Sequence, residues 1–291
     1  VFGNLKIETS GSLTQENTGS ILLAGNWDNS GVFDAGTGNV VFNGNLIQYI
    51  TGSSETSFYN FLINKSSNNV ELLVSMYIQN HLQLISETLI KIGNFNITIG
   101  IAGNILNNLN QSTWNDFTVA RSIYTNGTGQ LKREVTGTGE KVLVFPISTS
   151  GNPTDVYTPA RIVIHNKPGT SYSSGASVGV NAVPSEHPEV EETGVALTKY
   201  WVVTSPGVTF DTDGSVANME FKYDQTEVRP DDIAEQEYKV LLFSPSYNDP
   251  TGFWRIAPGR TANVVDFNLN HFYSNNVDFI LGDWYAGKEE A

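Results

Sequence analysis

The residues best equipped for proton transfer or metal ligation in this 291-residue chain are four histidines, His81, His165, His187 and His271. They lie far apart, and no two have the i, i+2 or i, i+4 spacing that lets a pair of imidazoles reach one ion. Surface or hydrogen-bonded roles are therefore expected for them. Acidic side chains come next. Asp211, Asp213 and Gly214 follow the order with which a calcium loop begins, carboxylates on alternate residues ahead of a glycine turn. The bidentate glutamate that closes such a loop is replaced by Lys222, and Glu220 falls short of the position. Asp211 and Asp213 are thus the candidate metal ligands, with calcium as the ion, against the competing reading of solvated turn carboxylates. No other cofactor is expected.

Catalysis finds little material. Hydrolysis or elimination on a polysaccharide needs carboxylates gathered roughly 5 to 10 Å apart. The first 130 residues offer Glu8, Glu16, Asp28, Asp34, Glu55, Glu71, Glu87 and Asp116, thinly spread, with Lys6, Lys65, Lys91 and Arg121 as the cations. There is no cysteine, hence no thiol nucleophile or disulfide, and no strand-to-helix nucleophile elbow is suggested. The glycine runs Gly127–Gly129 and Gly137–Gly139 lack the lysine and following helix of a phosphate loop and read as hairpin turns. No catalytic residue is assigned and the chain is not expected to be an enzyme. Five tryptophans, Trp27, Trp114, Trp201, Trp254 and Trp284, could stack on sugars, although aromatic residues in strands are usually core or cross-strand partners. Trp254, just past a turn, is the candidate exposed ring.

The elements that must position these groups are strands. Asn, Ser, Thr and Gly take the place of charge, since only 16% of residues are charged, and this composition suits turns and strands better than long helices. A net charge of -14 leaves no basic cluster to displace counterions, which excludes a nucleic-acid partner. No run approaches the roughly 20 apolar residues of a membrane helix. The start, Val1 to Ile7, shows neither the basic nor the apolar region of a signal peptide, so a mature chain or a fragment is expected.

Composition changes near Gln130. The residues before it hold 20 Asn and 12 charged residues, those after it 10 Asn and 34 charged residues. The first half is a series of short apolar couplets (Leu5 and Ile7, Ile21 to Leu23, Val40 to Phe42, Phe58 to Leu62, Val70 to Leu72, Leu82 to Leu84, Ile97 to Ile99) at roughly 8- to 20-residue spacing, with Gly or Asn between them. Such an irregular repeat predicts a β-solenoid, whose coils bury their apolar faces only by stacking. Asn tolerates the left-handed conformation at corners, and inward Asn can form ladders between coils. A meandering sandwich is the competing reading. The second half carries about nine longer strand candidates, from Lys141 to Pro146 through Thr261 to Leu269 and Val277 to Gly282, with a helical turn expected near Asp231 to Gln236. This spacing predicts a Greek-key β-sandwich of immunoglobulin or jelly-roll type.

The run GNWDNSGVFDAGTGNVVFNG (Gly25 to Gly44) and the phrase FYNFLINK (Phe58 to Lys65) resemble repeats of large cell-surface proteins of the Bacteroidetes exported by the type IX secretion system. LKREVTGTGEKVLVFPIS (Leu131 to Ser148), YTPARIVI (Tyr157 to Ile164), LTKYWVV (Leu197 to Val203) and FILGDWYAGKEEA (Phe279 to Ala291) are similar to a module of the same proteins. The resemblance implies an extracellular, surface-attached or filamentous protein with roles in adhesion, gliding or matrix building.

The expectation is therefore an all-β chain, a solenoid over 1–129 followed by a sandwich over 130–291. Its expected function is that of an extracellular structural segment of a filament or stalk, assembling through strand edges or solenoid ends. The expected partners are further copies of itself or neighbouring modules. A glycan-binding adhesin module is the alternative, with surface glycans as partner, and a carbohydrate-active enzyme the third reading.

Overall fold

Alternating apolar residues separated by glycine and asparagine corners wind the first half of the chain into stacked parallel coils. The computed structural model describes residues 3–151, 154–190, 194–228, 235–246, 249–256 and 262–288. These form two compact units, Val1–Glu134 and Val135–Ala291. The first unit extends past Gly129 because Leu131–Glu134 pairs in parallel with Ile97–Ile99 as part of the last coil. Among the described residues no helix is long and apolar enough to cross a membrane.

In the first unit one sheet is built from Leu5–Ile7, Trp27–Asn29, Gln48–Gly52, Val70–Leu72, Ile90–Lys91 and Ile123–Tyr124, each strand parallel to the next. A second sheet stacks Ser20–Leu23, Asn39–Phe42, Thr56–Ile63 and Met76–Leu84, again in parallel. Its longer strands bend at a register shift between Ile78 and His81, so that Met76 to Ile78 pair with Ile97–Ile99 while His81 to Gln83 pair with Asn104–Leu106. Ser12–Thr14 pairs with Val32–Asp34 on a third side. The register places like on like: Leu23, Phe42, Ile63 and Leu84 form one buried column, and Gln48, Val70, Ile90 and Ile123 another. Trp27 packs edge-on to Phe33 and Phe58 at centroid distances of 4.7 and 5.0 Å, and its indole N–H donates to Thr56 Oγ1 at 3.2 Å. An extra loop, holding the 3-10 turn Trp114–Asp116, lengthens the step from Ile90 to Ile123.

Corners follow the expected chemistry. Asn17, Asn68 and Asn110 hold positive φ. At Gly52 (φ +136°) the preceding coil runs so close that a Cβ would collide with the Asn29 carbonyl, which only glycine avoids. The asparagine ladder exists, but half-buried at a corner and not in the core. Asn39 Nδ2 donates to Ser20 Oγ, Asn60 Nδ2 to Asn39 Oδ1 and Asn80 Nδ2 to Asn60 Oδ1, at 3.3, 2.8 and 2.8 Å. Asn60 takes part in two of these bonds. Asn60→Ala is expected to lower stability by about 1 kcal/mol, read from urea unfolding, and an unchanged midpoint would show that water replaces the ladder.

The second unit is antiparallel. One sheet has the order Lys141–Phe145, Ala160–Ile164, Ala217–Lys222, His271–Val277, Ala262–Asp266. The other runs Asp249–Ile256, Lys239–Ser246, Gly282–Gly287, Tyr200–Thr204, Ser177–Val183. They face each other across an aromatic core in which Trp201 lies 5.3 Å from both Phe221 and Phe272, and Phe221 stacks 5.8 Å from Trp284. This is a β-sandwich. The last strand inserts between Tyr200–Thr204 and Lys239–Ser246, so neighbours in space are not neighbours in sequence. Val277 to Gly282, expected as a strand, is instead a turn, because Val277 ends one strand and Gly282, at φ +137°, begins the next. The helical turn expected near Asp231 to Gln236 falls largely on residues outside those described, although Glu235–Glu237 forms a 3-10 turn.

Candidate functional site

Candidate residues are positioned by the two units separately. Asp211 is an Asx-turn residue: its Oδ1 accepts the Asp213 N–H at 2.8 Å, while its Oδ2 accepts the Gly169 N–H at 2.7 Å and ties two loops together. These backbone donors, Asp213 first, hold its carboxyl below the usual range. Asp213 is exposed. Among the described residues no third carboxylate or histidine joins them in a group able to hold a metal ion.

The histidines do not converge. His81 lies in the solenoid opposite Asn60 and Asn104. His271, opposite Lys222 and Asp266, is pushed down to about 4 by burial and then by the Lys222 charge. His187 is buried with its Nε2 2.9 Å from Asp283 Oδ2, and its Nδ1 accepts the Glu189 N–H at 3.2 Å. That pairing resembles the orienting half of a catalytic dyad, but the nitrogen that would act as base is occupied by a backbone donor. The ring is packed between Tyr200 and Phe243, at 4.6 and 4.8 Å, and its role is structural.

Of the tryptophans, Trp27, Trp201 and Trp284 are fully buried, and the indole N–H groups of the last two donate to the carbonyls of Thr158 and Ile280. Trp114 is half-buried. The backbone of Trp254 pairs with Phe243, and its side chain lies outside the described residues.

Two arrangements were not foreseen from the sequence. On the outer face of the solenoid Tyr77 Oη donates to Glu134 Oε2 at 2.7 Å, above Gly100, where a Cβ would strike the phenol oxygen. Glu55 belongs to the same neighbourhood, its carboxyl raised by burial and less strongly by Glu134, with Lys132 opposing. With Glu134 bound to the phenol, this is a poor start for paired-carboxylate chemistry.

The second is the first coil. Its strands Leu5–Ile7, Ser12–Thr14 and Ser20–Leu23 each pair with the second coil alone, and among the described residues nothing pairs their outer edges. Of its inward residues, Ile7 and Leu23 are buried while Leu5, Leu13 and Ile21 are only half-buried, whereas Trp27 and Val40, which continue the columns of Leu5 and Ile21, are fully or almost fully buried. An edge of backbone donors and acceptors thus surrounds an apolar floor, the pattern that invites another strand. Neither a family model, nor a curated protein, nor a solved structure matches this chain.

Proposed function

We propose that this chain is a structural segment of an extracellular filament or stalk, which assembles by pairing the open face of its first coil with another β-edge, in the first instance that of a second copy. The observation that carries the reading is the combination just described. Among the described residues three strand edges without a partner stand around Leu5, Leu13 and Ile21, and an added coil would bury those residues as the coils on either side bury Trp27. A contact of this kind propagates head-to-tail when the covering strand is a different sheet edge of the next copy, such as Ala262–Asp266, which pairs on one side only among the described residues. The acidic surface, which favours solubility, and the resemblance to Bacteroidetes surface repeats support an extracellular, surface-attached location.

Negative-stain electron microscopy over a concentration series is the test. Regular rods or fibres are expected from the unaltered chain, and Ile21→Lys, which places an ammonium on the apolar floor, is expected to leave single particles with an unchanged circular dichroism spectrum. Single particles from the unaltered chain at all concentrations, or fibres that persist in the variant, would dispose of the proposal. The alternative, a glycan-binding module, draws its support from a polar cavity in the second unit.

A further inference from the structure

Three loops of the second unit meet at one end of its five-stranded sheet. Antiparallel pairing of Lys141–Phe145 with Ala160–Ile164 brings the turn Gly137–Gly139 beside residues 165–170. Pairing of Ala160–Ile164 with Ala217–Lys222 brings Ser215 beside His165. Between the loops lies a cavity of about 90 Å3, open to solvent, lined by Gly137–Gly139, His165, Asn166, Lys167, Thr170 and Tyr172 among others, with no carboxylate in its wall. In a chain of net charge -14 a wall without carboxylates is a distinct environment, although Asp211 lies behind it, its carboxylate accepting the Gly169 N–H at 2.7 Å.

The polar groups at this cavity are fixed in place and lack protein partners for their free ends. Gly139, at φ +90°, donates its N–H to Asn166 Oδ1 at 3.1 Å, which orients the amide and leaves its NH2 free. Lys167 is half-buried and forms no salt bridge among the described residues, although the Asp211 carboxylate, which is tied to Gly169, feels its charge. The Tyr172 hydroxyl has no hydrogen-bond partner among the described residues, and Tyr172 lines the cavity. His165 Nδ1 lies 2.8 Å from the Ser215 carbonyl oxygen, which can only accept. The proton must therefore sit on Nδ1, and Nε2 of the neutral imidazole is an acceptor. The cavity so offers an ammonium and an amide to an oxyanion, and beside them an acceptor that requires an O–H donor.

Inorganic sulfate meets the first demand and not the second, and a neutral sugar meets the second and not the first. A hydroxylated carboxylic acid meets both. We infer that this cavity binds the carboxylate end of an acidic sugar, a uronic acid unit of a polysaccharide, with Lys167, Asn166 and the Tyr172 hydroxyl donating to the carboxylate and His165 Nε2 accepting from a ring hydroxyl. The inference is independent of self-assembly, because its residues all belong to the second unit.

Titration of the full chain with sodium glucuronate, followed by amide shifts in two-dimensional NMR, is the test. Saturable shifts confined to residues near Gly139, Lys167 and Thr170 are expected, with a dissociation constant on the order of 1 mM, glucose binding at least about tenfold more weakly and sulfate not saturating. Lys167→Met is expected to weaken glucuronate binding about tenfold or more. Tyr172→Phe, which keeps the ring, serves as a second variant should the first perturb the loop. It is expected to weaken binding severalfold. Absence of saturable shifts up to about 100 mM, equal binding of glucose, equal binding of sulfate, or full affinity in both variants would each overturn the assignment.

Discussion

Glu227→Gln is expected to lower the stability of the second unit by about 3–5 kcal/mol, the largest effect of any single side-chain change considered for this chain. Glu227 and Lys199 form an ion pair with side-chain exposures of 2% and 0%. The glutamate is held by more than its charge. It ends the 3-10 turn Gln225–Glu227, its Oε2 accepts the Asp224 N–H at 2.9 Å, and its carbonyl accepts the Thr198 N–H at 3.0 Å. Glutamine can keep the Asp224 bond and the shape, so the substitution isolates the charge. What remains is a buried ammonium with only the more weakly acting Asp224 carboxylate to oppose its charge, and burial already lowers its pKa against the pull of Glu227. The folded state then has to discharge Lys199 or admit water. Replacing both partners by apolar residues, Lys199→Met with Glu227→Leu, is expected to recover most of the loss, because two desolvation costs disappear along with the attraction. Urea unfolding followed by tryptophan fluorescence suits the measurement, as Trp201 lies two residues from Lys199 on the same segment. A loss below about 1 kcal/mol for Glu227→Gln would mean that the pair is solvated and the account wrong.

This pair also shows where sequence reading stops. In the solenoid, residues that touch are about one coil apart, so the column Leu5, Trp27, Ile50, Leu72 is visible as a recurrence of apolar couplets between Gly and Asn corners. The alternation encodes which side chains point inward, and the corners encode where the chain turns. In the sandwich, the last strand returns to the middle of its sheet, so His187 meets Asp283, and the 3-10 turn Gln225–Glu227 docks on the segment before Tyr200, so Lys199 meets Glu227, through pairings that no local pattern announces. The Asp211 and Asp213 expectation has a different origin. A carboxylate followed two residues later by a second one, and then by glycine, is what a calcium loop uses, yet an Asx turn needs the same Asp and the same following N–H. Only the position of the Gly169 N–H on the second oxygen reveals what Asp211 is occupied with. His165 was legible as an isolated histidine and nothing more. Its neighbours Gly139 and Ser215 come from loops distant in sequence, and the direction of its proton follows from the carbonyl it meets.

Lys65 is the polar counterpart inside the solenoid, and Lys65→Met is expected to cost about 3 kcal/mol. The side chain is 4% exposed, and no carboxylate accompanies it. Its Nζ donates instead to three neutral oxygens of the preceding corner, the carbonyls of Gly44 and Leu46 at 2.8 Å each and Gln48 Oε1 at 2.9 Å. Gln48 in turn donates to the carbonyls of Leu23 and Gly25, so one lysine and one glutamine fasten three successive corners. Methionine fills the volume and leaves three acceptors without donors, which is where the cost arises. Burial pushes the ammonium down to about 8 from its ordinary 10.5. The unfolded chain therefore binds more protons than the folded one between about pH 8 and pH 10.5, and in that window stability contributed by this site rises with pH. The expected gain, discounted for the polar surroundings, is about 2 kcal/mol or less. It opposes the usual alkaline loss, and it is absent from Lys65→Met, so the gap between the two proteins should widen as pH increases from 8 to 10.5. Parallel urea unfolding of both at several pH values measures the gap directly. A gap that narrows over this range would show that the three oxygens hold the proton more tightly than burial expels it, and that Lys65 is a stabilising cation at every accessible pH.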